Sequence, residues 1–242
     1  MQKYPISLSH FLSSSGVASR RKSTDLIKQG FVFVNKQKEI SPGYKVQEQD
    51  VVEYKNKIIS ISEKVYIMLN KPVGYICTAD DPYADKTIFD LIDIKDVRLF
   101  SVGRLDKNSE GLLLLTNDGD FSNKIMHPSN NIIKEYIIET NDFISKEIIQ
   151  ELEKGIKDEG DILRAIKIKR VGLNRYSFSL NEGKKREIRR MITYAGLKTI
   201  NLKRIKIGSL DLGNLEIGKW KYLSKNYLQT FLIKDRDKKN AT

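Results

Sequence analysis

Residues 103–120 read GRLDKNSEGLLLLTNDGD. A charged, turn-rich half runs directly into an apolar half. The apolar run from Gly111 to Thr116 is followed by an Asp-Gly pair. A short apolar run closed by turn formers predicts a buried strand. Upstream, Asp106 follows Gly103 and Arg104 and precedes the turn-forming KNSEG. That context suits a carboxylate at a strand end, facing a cleft. In extended backbone Arg104 and Asp106 would share a face. A guanidinium there would hold Asp106 ionised, as a carboxylate nucleophile requires. Spacing alone favours the plainer alternative, a structural ion pair at a turn.

Working outward, VYIMLNKP (65–72) predicts a strand halted by Pro72, and GYICT (74–78) a second extended piece. TADDPYADKT (78–87) is a loop rich in turn formers. In ISKEIIQELEKG (144–155) and just beyond, Ile144, Ile148, Leu152 and Ile156 have helical spacing. LRAIKIKRV (163–171), RYSFSL (175–180) and TINLKRIKIG (199–208) alternate as strands do. REIRRMITYAG (186–196) predicts a short helix closed by Gly196. Strands outnumber helices and hairpin turns are frequent. The expected fold class is therefore α+β, with a mixed, largely antiparallel sheet.

Residues 1–60 read as a separate small domain. Leu8, Phe11 and Leu12 have helical spacing; Ser19 is a good N-cap for a second helix, closed by Gly30. FVFVN (31–35) and VVEY (51–54) follow as strands. Arg20, Arg21 and Lys22 open the second helix, where cations oppose its dipole. Phosphate contact would explain that placement; a tolerated surface cluster is the alternative. After a short linker, NKIISISEK (56–64), a larger domain is expected over 61–234, and 235–242 is a polar tail.

About 40% of the chain is hydrophobic, enough to bury a core, and no apolar window has the length of a membrane span. The start lacks a signal-peptide core, so a cytoplasmic protein is expected. One cysteine, Cys77, excludes an internal disulfide. The two histidines, His10 and His127, form no cluster with Cys77 at metal-ligand spacing, so no metal site is expected. A Cys–His nucleophile remains open, although Cys77 sits in an apolar run that suits a core residue. The net charge of +12 favours a polyanion such as RNA or DNA over a membrane surface. Residues 164–206 hold 14 Lys/Arg against two acidic residues, which predicts a polyanion-facing surface there.

Several ordered blocks resemble one family. They are LNKPVGYICT (69–78), GRLDKNSEGLLLLTNDGD (103–120), HPS (127–129) with KEY (134–136), EGKKREIRRMITYAGLKTINLKRIKIGSLDL (182–212) and GKWKYLS (218–224). Together they resemble the RsuA/RluB/RluE/RluF-type ribosomal RNA pseudouridine synthases. NDG, HPS, REIRR and the loop TADDPYADKTIFDLI are nearest the RluB-type, large-subunit enzymes. Small-subunit specificity is the near alternative. Residues 5 to about 54 resemble the αL RNA-binding domain of ribosomal protein S-four.

The resemblance implies a pseudouridine synthase domain with a central catalytic cleft and a role for each matched residue. Asp106 is the nucleophile, Arg104 binds the target base, Tyr136 packs on the uracil and Arg189 pairs with the aspartate. Ile188 lines the base pocket, and Lys71 with Pro72 is structural. Lys184, Lys185, Arg186 and Arg190, in the same basic block, and Arg20, Arg21 and Lys22 are candidate substrate contacts. Ser109 stands where threonine is usual, and Glu187 where glutamine is common. The implied reaction is uridine-to-pseudouridine isomerisation, with the target base flipped out. It transfers neither electrons nor an external group, so no cofactor is expected. The implied partner is ribosomal RNA or a ribosomal precursor particle. No obligate protein partner is implied, and the chain is expected to be a monomer. A non-catalytic RNA-binding factor and a DNA-binding protein are the competing readings; no helix-turn-helix or zinc-finger pattern supports the second.

Overall fold

The computed structural model of the chain describes residues 4–78, 85–94, 97–224, 228 and 231. It divides into two units: Met1–Val65 with Ile94–Phe100, and Tyr66–Asp93 with the chain from Ser101 onward. The return of Ile94–Phe100 to the first unit has no counterpart in the sequence reading. The expected polar tail, 235–242, lies outside the described residues.

The small unit opens with β1 (Ile6–Ser7), α1 (Leu8–Ser14) and α2 (Arg20–Lys28). Ser19 caps α2, its hydroxyl accepting the Lys22 N–H at 3.4 Å. There follow β2 (Val32–Val34), β3 (Gln37–Lys38), β4 (Lys45–Val46), β5 (Val52–Tyr54) and β6 (Lys57–Ile59). Four of these strands form a sheet in the order β3-β2-β5-β6, and β1 pairs with β4. Leu8, Phe11, Leu12, Ile27, Val32, Val34, Val46 and Val52 make its core. Each fully buried aliphatic side chain contributes about 1.5–3 kcal/mol.

The large unit is built on one mixed sheet. Its strands are β7 (Tyr66–Lys71), β8 (Phe100–Val102), β9 (Glu110–Thr116), β10 (Lys134–Thr140), β13 (Lys167–Arg170), β14 (Arg175–Leu180), β15 (Thr199–Ile207), β16 (Leu210–Asp211) and β17 (Trp220–Tyr222). A separate hairpin pairs β11 (Ile156–Asp158) with β12 (Asp161–Leu163). The main path runs β13-β14-β10-β15-β9-β7-β17, with β16 on β15 and β8 on β9. Along that path every pairing is antiparallel except β15–β9. The helices are α3 (Gly119–Met126), α4 (Lys146–Lys154) and α5 (Glu187–Tyr194).

The LLLL run is β9, inside the sheet and buried on both faces. Its end departs from the expected Asp-Gly turn. Asp118 instead starts α3: its carboxylate accepts the Asp120 and Phe121 N–H groups at 3.1 and 3.3 Å. Phe121 and Ile125, one helical turn apart, then pack on Met68, Leu112 and Leu114. The GYICT stretch also differs, making a single bridge, Ile76 to Thr87, rather than a strand. Gly74, at φ +93°, turns the chain, and its N–H goes to Lys107 O at 2.8 Å. The stretch therefore braces the loop that carries Asp106 instead of joining the sheet.

Candidate active site

Two loops of the large unit face each other across a cleft of about 90 Å³. One is the crossing from β8 to β9, residues 103–109. The other is the approach to α5, residues 182–186. Leu180 and Leu202 from the sheet complete the lining, with Tyr136 between the loops' two strands of origin.

The first loop is a turn fixed from beneath. Ser109 N–H bonds to Asp106 O at 3.0 Å, closing the turn Asp106–Ser109. The fully buried Lys71, at the end of β7, donates from Nζ to Ser109 O at 2.8 Å, Pro72 O at 3.0 Å and Asp106 O at 3.1 Å. Burial lowers its pKa, and the nearby Asp106 and Glu110 carboxylates oppose that. A buried ammonium is tolerated only with such a full set of acceptors. The Cys77 thiol adds a brace, donating to Leu105 O at 3.3 Å and accepting Leu105 N–H at 3.5 Å. Pinned on both sides, the turn presents the Asp106 carboxylate outward, nearly half exposed.

From the other side Arg189, on the first turn of α5, reaches Asp106. Its Nε lies 4.0 Å from Asp106 Oδ2. Its Nη2 donates to Asn108 O at 2.6 Å and more weakly to Ser109 Oγ at 3.4 Å. The guanidinium is thereby aimed by the same turn that aims the carboxylate. Tyr136, near the middle of β10, stands opposite Phe178 on β14 and Arg204 on β15, and its ring lines the cleft. Ile188 follows on the α5 side. A carboxylate, a fixed cation and an aromatic face thus share one partly dry space. That set can hold a planar base beside a nucleophile.

The sequence pattern of RNA pseudouridylate synthases matches residues 65–194, more than half of the chain. The chain belongs to the RNA pseudouridine synthase family. The synthase is thus an isomerase acting on RNA, and residues 8–52 match the S4 domain. It is 37% identical over 202 residues to the ribosomal large subunit pseudouridine synthase B of Bacillus subtilis, covering 81% of this chain and 83% of that one. It is 36% identical over 201 residues to the dual-specificity RNA pseudouridine synthase RluF of Escherichia coli K12, covering 82% and 68%. A solved pseudouridylate synthase superposes with a TM-score of 0.68 at 27% identity, covering 94% of this chain and 99% of that one.

The synthase brings Arg104, Asp106, Tyr136, Ile188 and Arg189 to one cleft, with Lys184 and Arg186 on its rim. The expected Arg104–Asp106 ion pair is absent among the described residues; Asp106 pairs with Arg189 instead. Arg104 and Asp106 are both exposed with Leu105 buried between them, yet the cation that reaches the carboxylate is Arg189. Other cations are engaged elsewhere. Arg190 is spent on Asp158 and Asp161 in the β11–β12 hairpin, so its guanidinium is not presented to the cleft. Lys184 pairs with Glu182 at 2.7 Å. Lys185 is exposed and outside the cleft lining. In the small unit Arg20, Arg21 and Lys22 stand exposed on the first turn of α2.

The basic segment is thus not one surface: Arg204 is buried, Arg190 and Lys184 are paired, and Lys206 lies 3.5 Å from Asp211. Sequence reasoning missed Lys134, Glu187 and Arg204 as a buried charged set beside the cleft. The signal was present in the strand alternation, which puts Lys134 with Tyr136, and Leu202 with Arg204, on the same faces.

Proposed function

We propose that this synthase converts a particular uridine of large-subunit ribosomal RNA to pseudouridine, with Asp106 as nucleophile. The observation that carries the residue assignment is the Arg189–Asp106 approach of 4.0 Å inside a cleft walled by Tyr136. Large-subunit specificity is supported by the likeness to the Bacillus subtilis enzyme. The target uridine leaves its stack at a cost of a few kcal/mol. Stacking on Tyr136 recovers about 1–3 kcal/mol of it. The bond from ribose C1′ to uracil N1 breaks, the base turns, and C1′ rejoins at C5. The C5 proton leaves and N1 ends protonated, so nothing is oxidised and the atoms balance. Asp106 bonds C1′ as the bond to N1 breaks, and that bond breaks in turn as C5 takes C1′, so the adduct holds the sugar through the exchange. Arg189 keeps a positive charge beside the carboxylate, Arg104 and Ile188 contact the base, and Arg186 on the rim meets backbone phosphate. Lys185, with Arg20, Arg21 and Lys22 of the S4 domain, adds phosphate contacts whose strength falls steeply with salt.

The test is carbodiimide-dependent primer extension on both ribosomal RNAs from a strain lacking the gene. One large-subunit stop is expected to vanish on deletion, return with the wild-type gene and stay absent with Asp106→Ala. A stop restored by Asp106→Ala removes the nucleophile assignment. A stop in the small-subunit RNA instead moves the substrate to that subunit.

A further inference from the structure

The wall formed by Glu182–Arg186 and the first turn of α5 lies over one buried carboxylate. Glu187, 4% exposed, accepts the Lys184 N–H at 3.0 Å through Oε2. Its Oε1 is enclosed and has no hydrogen-bond partner among the described residues. From the sheet it faces Lys134, 7% exposed, two residues before Tyr136 on β10. Arg204, 3% exposed, stands beside Lys134 and across from Tyr136 on β15, and its Nη2 is likewise enclosed without a partner. From the loop Glu187 faces Glu182 and Lys184. On its own helix the next two residues, Ile188 and Arg189, line the cleft. Glu187 is therefore the buried anion between Lys134 of the sheet and the loop that walls the base pocket.

We propose that Glu187 is a positioning residue for the isomerisation: its ionised carboxylate seats the Glu182–Arg186 wall against Lys134, and so fixes Ile188 and Arg189 against Asp106 and Tyr136. The inference rests on the assignment of Asp106, Tyr136 and Arg189 to the reaction. A hydrogen bond to a charged acceptor is roughly twice as strong as a neutral one. Protonation of Glu187 weakens the Lys184 N–H bond and leaves Lys134 with Glu182 as its counter-charge. Burial, with Glu182 adding to it, pushes the carboxyl up to about 7, against the pull of the Lys184 N–H and ammonium. Both states are thus populated near neutral pH.

Single-turnover rate and RNA affinity are to be measured between about pH 5.5 and 8.5 for wild type, Glu187→Gln and Asp106→Ala. The wild-type rate is expected to rise roughly tenfold through an inflection near neutrality, the step from a neutral to a charge-assisted hydrogen bond. RNA affinity stays flat through it. Glu187→Gln cannot ionise, so its rate follows the low-pH limb of the wild type at every pH. Melting temperatures give an independent readout. A carboxyl held above its ordinary value in the fold ionises first in the unfolded chain. Wild type therefore loses stability as pH rises from the ordinary carboxylate range to about 7. The Gln variant escapes that loss, so its melting temperature gains on wild type across the window and levels off above it. A wild-type profile without the inflection, or a Gln variant that keeps it, overturns the proposal. So does a Gln variant slowed equally at every pH. Activity in Asp106→Ala would instead overturn the catalytic reading, and the Glu187 profiles would still decide the positioning role.

Discussion

The two walls of the cleft are held by opposite means. Under the Asp106 turn lies a buried cation, Lys71, bonded to backbone carbonyls of the turn itself. Under the Glu182–Arg186 wall lies a buried anion, Glu187, with one backbone N–H bond and one enclosed, unpartnered oxygen. Desolvation works on both, lowering the lysine and raising the glutamate. A lysine starts well above neutrality, so lowering it moves it toward pH 7 from a distance. A glutamate starts below, and here it reaches about 7. The wall pinned by Lys71 carries Asp106, the proposed nucleophile, whose position must not vary. The wall over Glu187 carries Ile188 and Arg189, which line the cleft.

The largest effect is expected where the Asp106 turn enters the sheet. Gly111 sits at φ +105°, in the parallel contact between β9 and β15. A Cβ there would stand 2.2 Å from Arg204 O and 2.8 Å from Arg204 N. Backbone cannot swing aside as a side chain can, so Gly111→Ala must part the two strands. A cost above about 4 kcal/mol is expected. Loss of cooperative melting would be the result; a variant melting like wild type would show that β9 and β15 do not meet so closely.

Lys71→Met tests the cation-held wall directly. It leaves the carbonyls of Pro72 and Ser109 without the Lys71 donor and Asp106 O with only the Ser109 N–H, costing about 3–5 kcal/mol. At a temperature where the variant is still folded, the turn is expected to wander by around an ångström. The isomerisation rate then falls about a hundredfold, with RNA affinity little changed. An unchanged rate in the folded variant would mean that the turn holds its shape without Lys71.

Much of this arrangement was legible in the sequence. The LLLL run, the capped helix at Ser19 and the alternation of RYSFSL and TINLKRIKIG each carry one local signal that the fold obeys. Asp118 did not read correctly, because an Asp-Gly pair serves a turn and a helix N-cap equally well. The competing evidence was the Phe121–Ile125 spacing downstream. Asp106, Tyr136 and Arg189 came from motif resemblance; no residue pattern says that positions so far apart in the chain will meet. The buried set Lys134, Glu187 and Arg204 was least legible. Charged residues usually face water, and that expectation outweighs the alternation that sets Lys134 with Tyr136 and Arg204 with Leu202. Arg190 misled for the same reason: its partners, Asp158 and Asp161, lie on a hairpin that its own segment does not announce.

The smallest expected effect concerns Cys77, which the sequence left open as a nucleophile. Its thiol is engaged with both backbone groups of Leu105, and burial raises its pKa. A thiol pushed up is a poorer source of thiolate and hence a poorer nucleophile. Cys77→Ser keeps a donor and an acceptor of similar shape at the same place. The variant is therefore expected to lose under about 1.5 kcal/mol of stability, the worth of one ordinary hydrogen bond. Its isomerisation rate should stay within about threefold of wild type, less than one charge-assisted bond would move it. The measurement is a melting curve beside a single-turnover assay. A rate collapsed with the melting curve intact would return Cys77 to the chemistry and displace Asp106. A rate and a melting temperature that fall together would show instead that Leu105, and with it the Asp106 turn, leans on sulfur more than on Lys71.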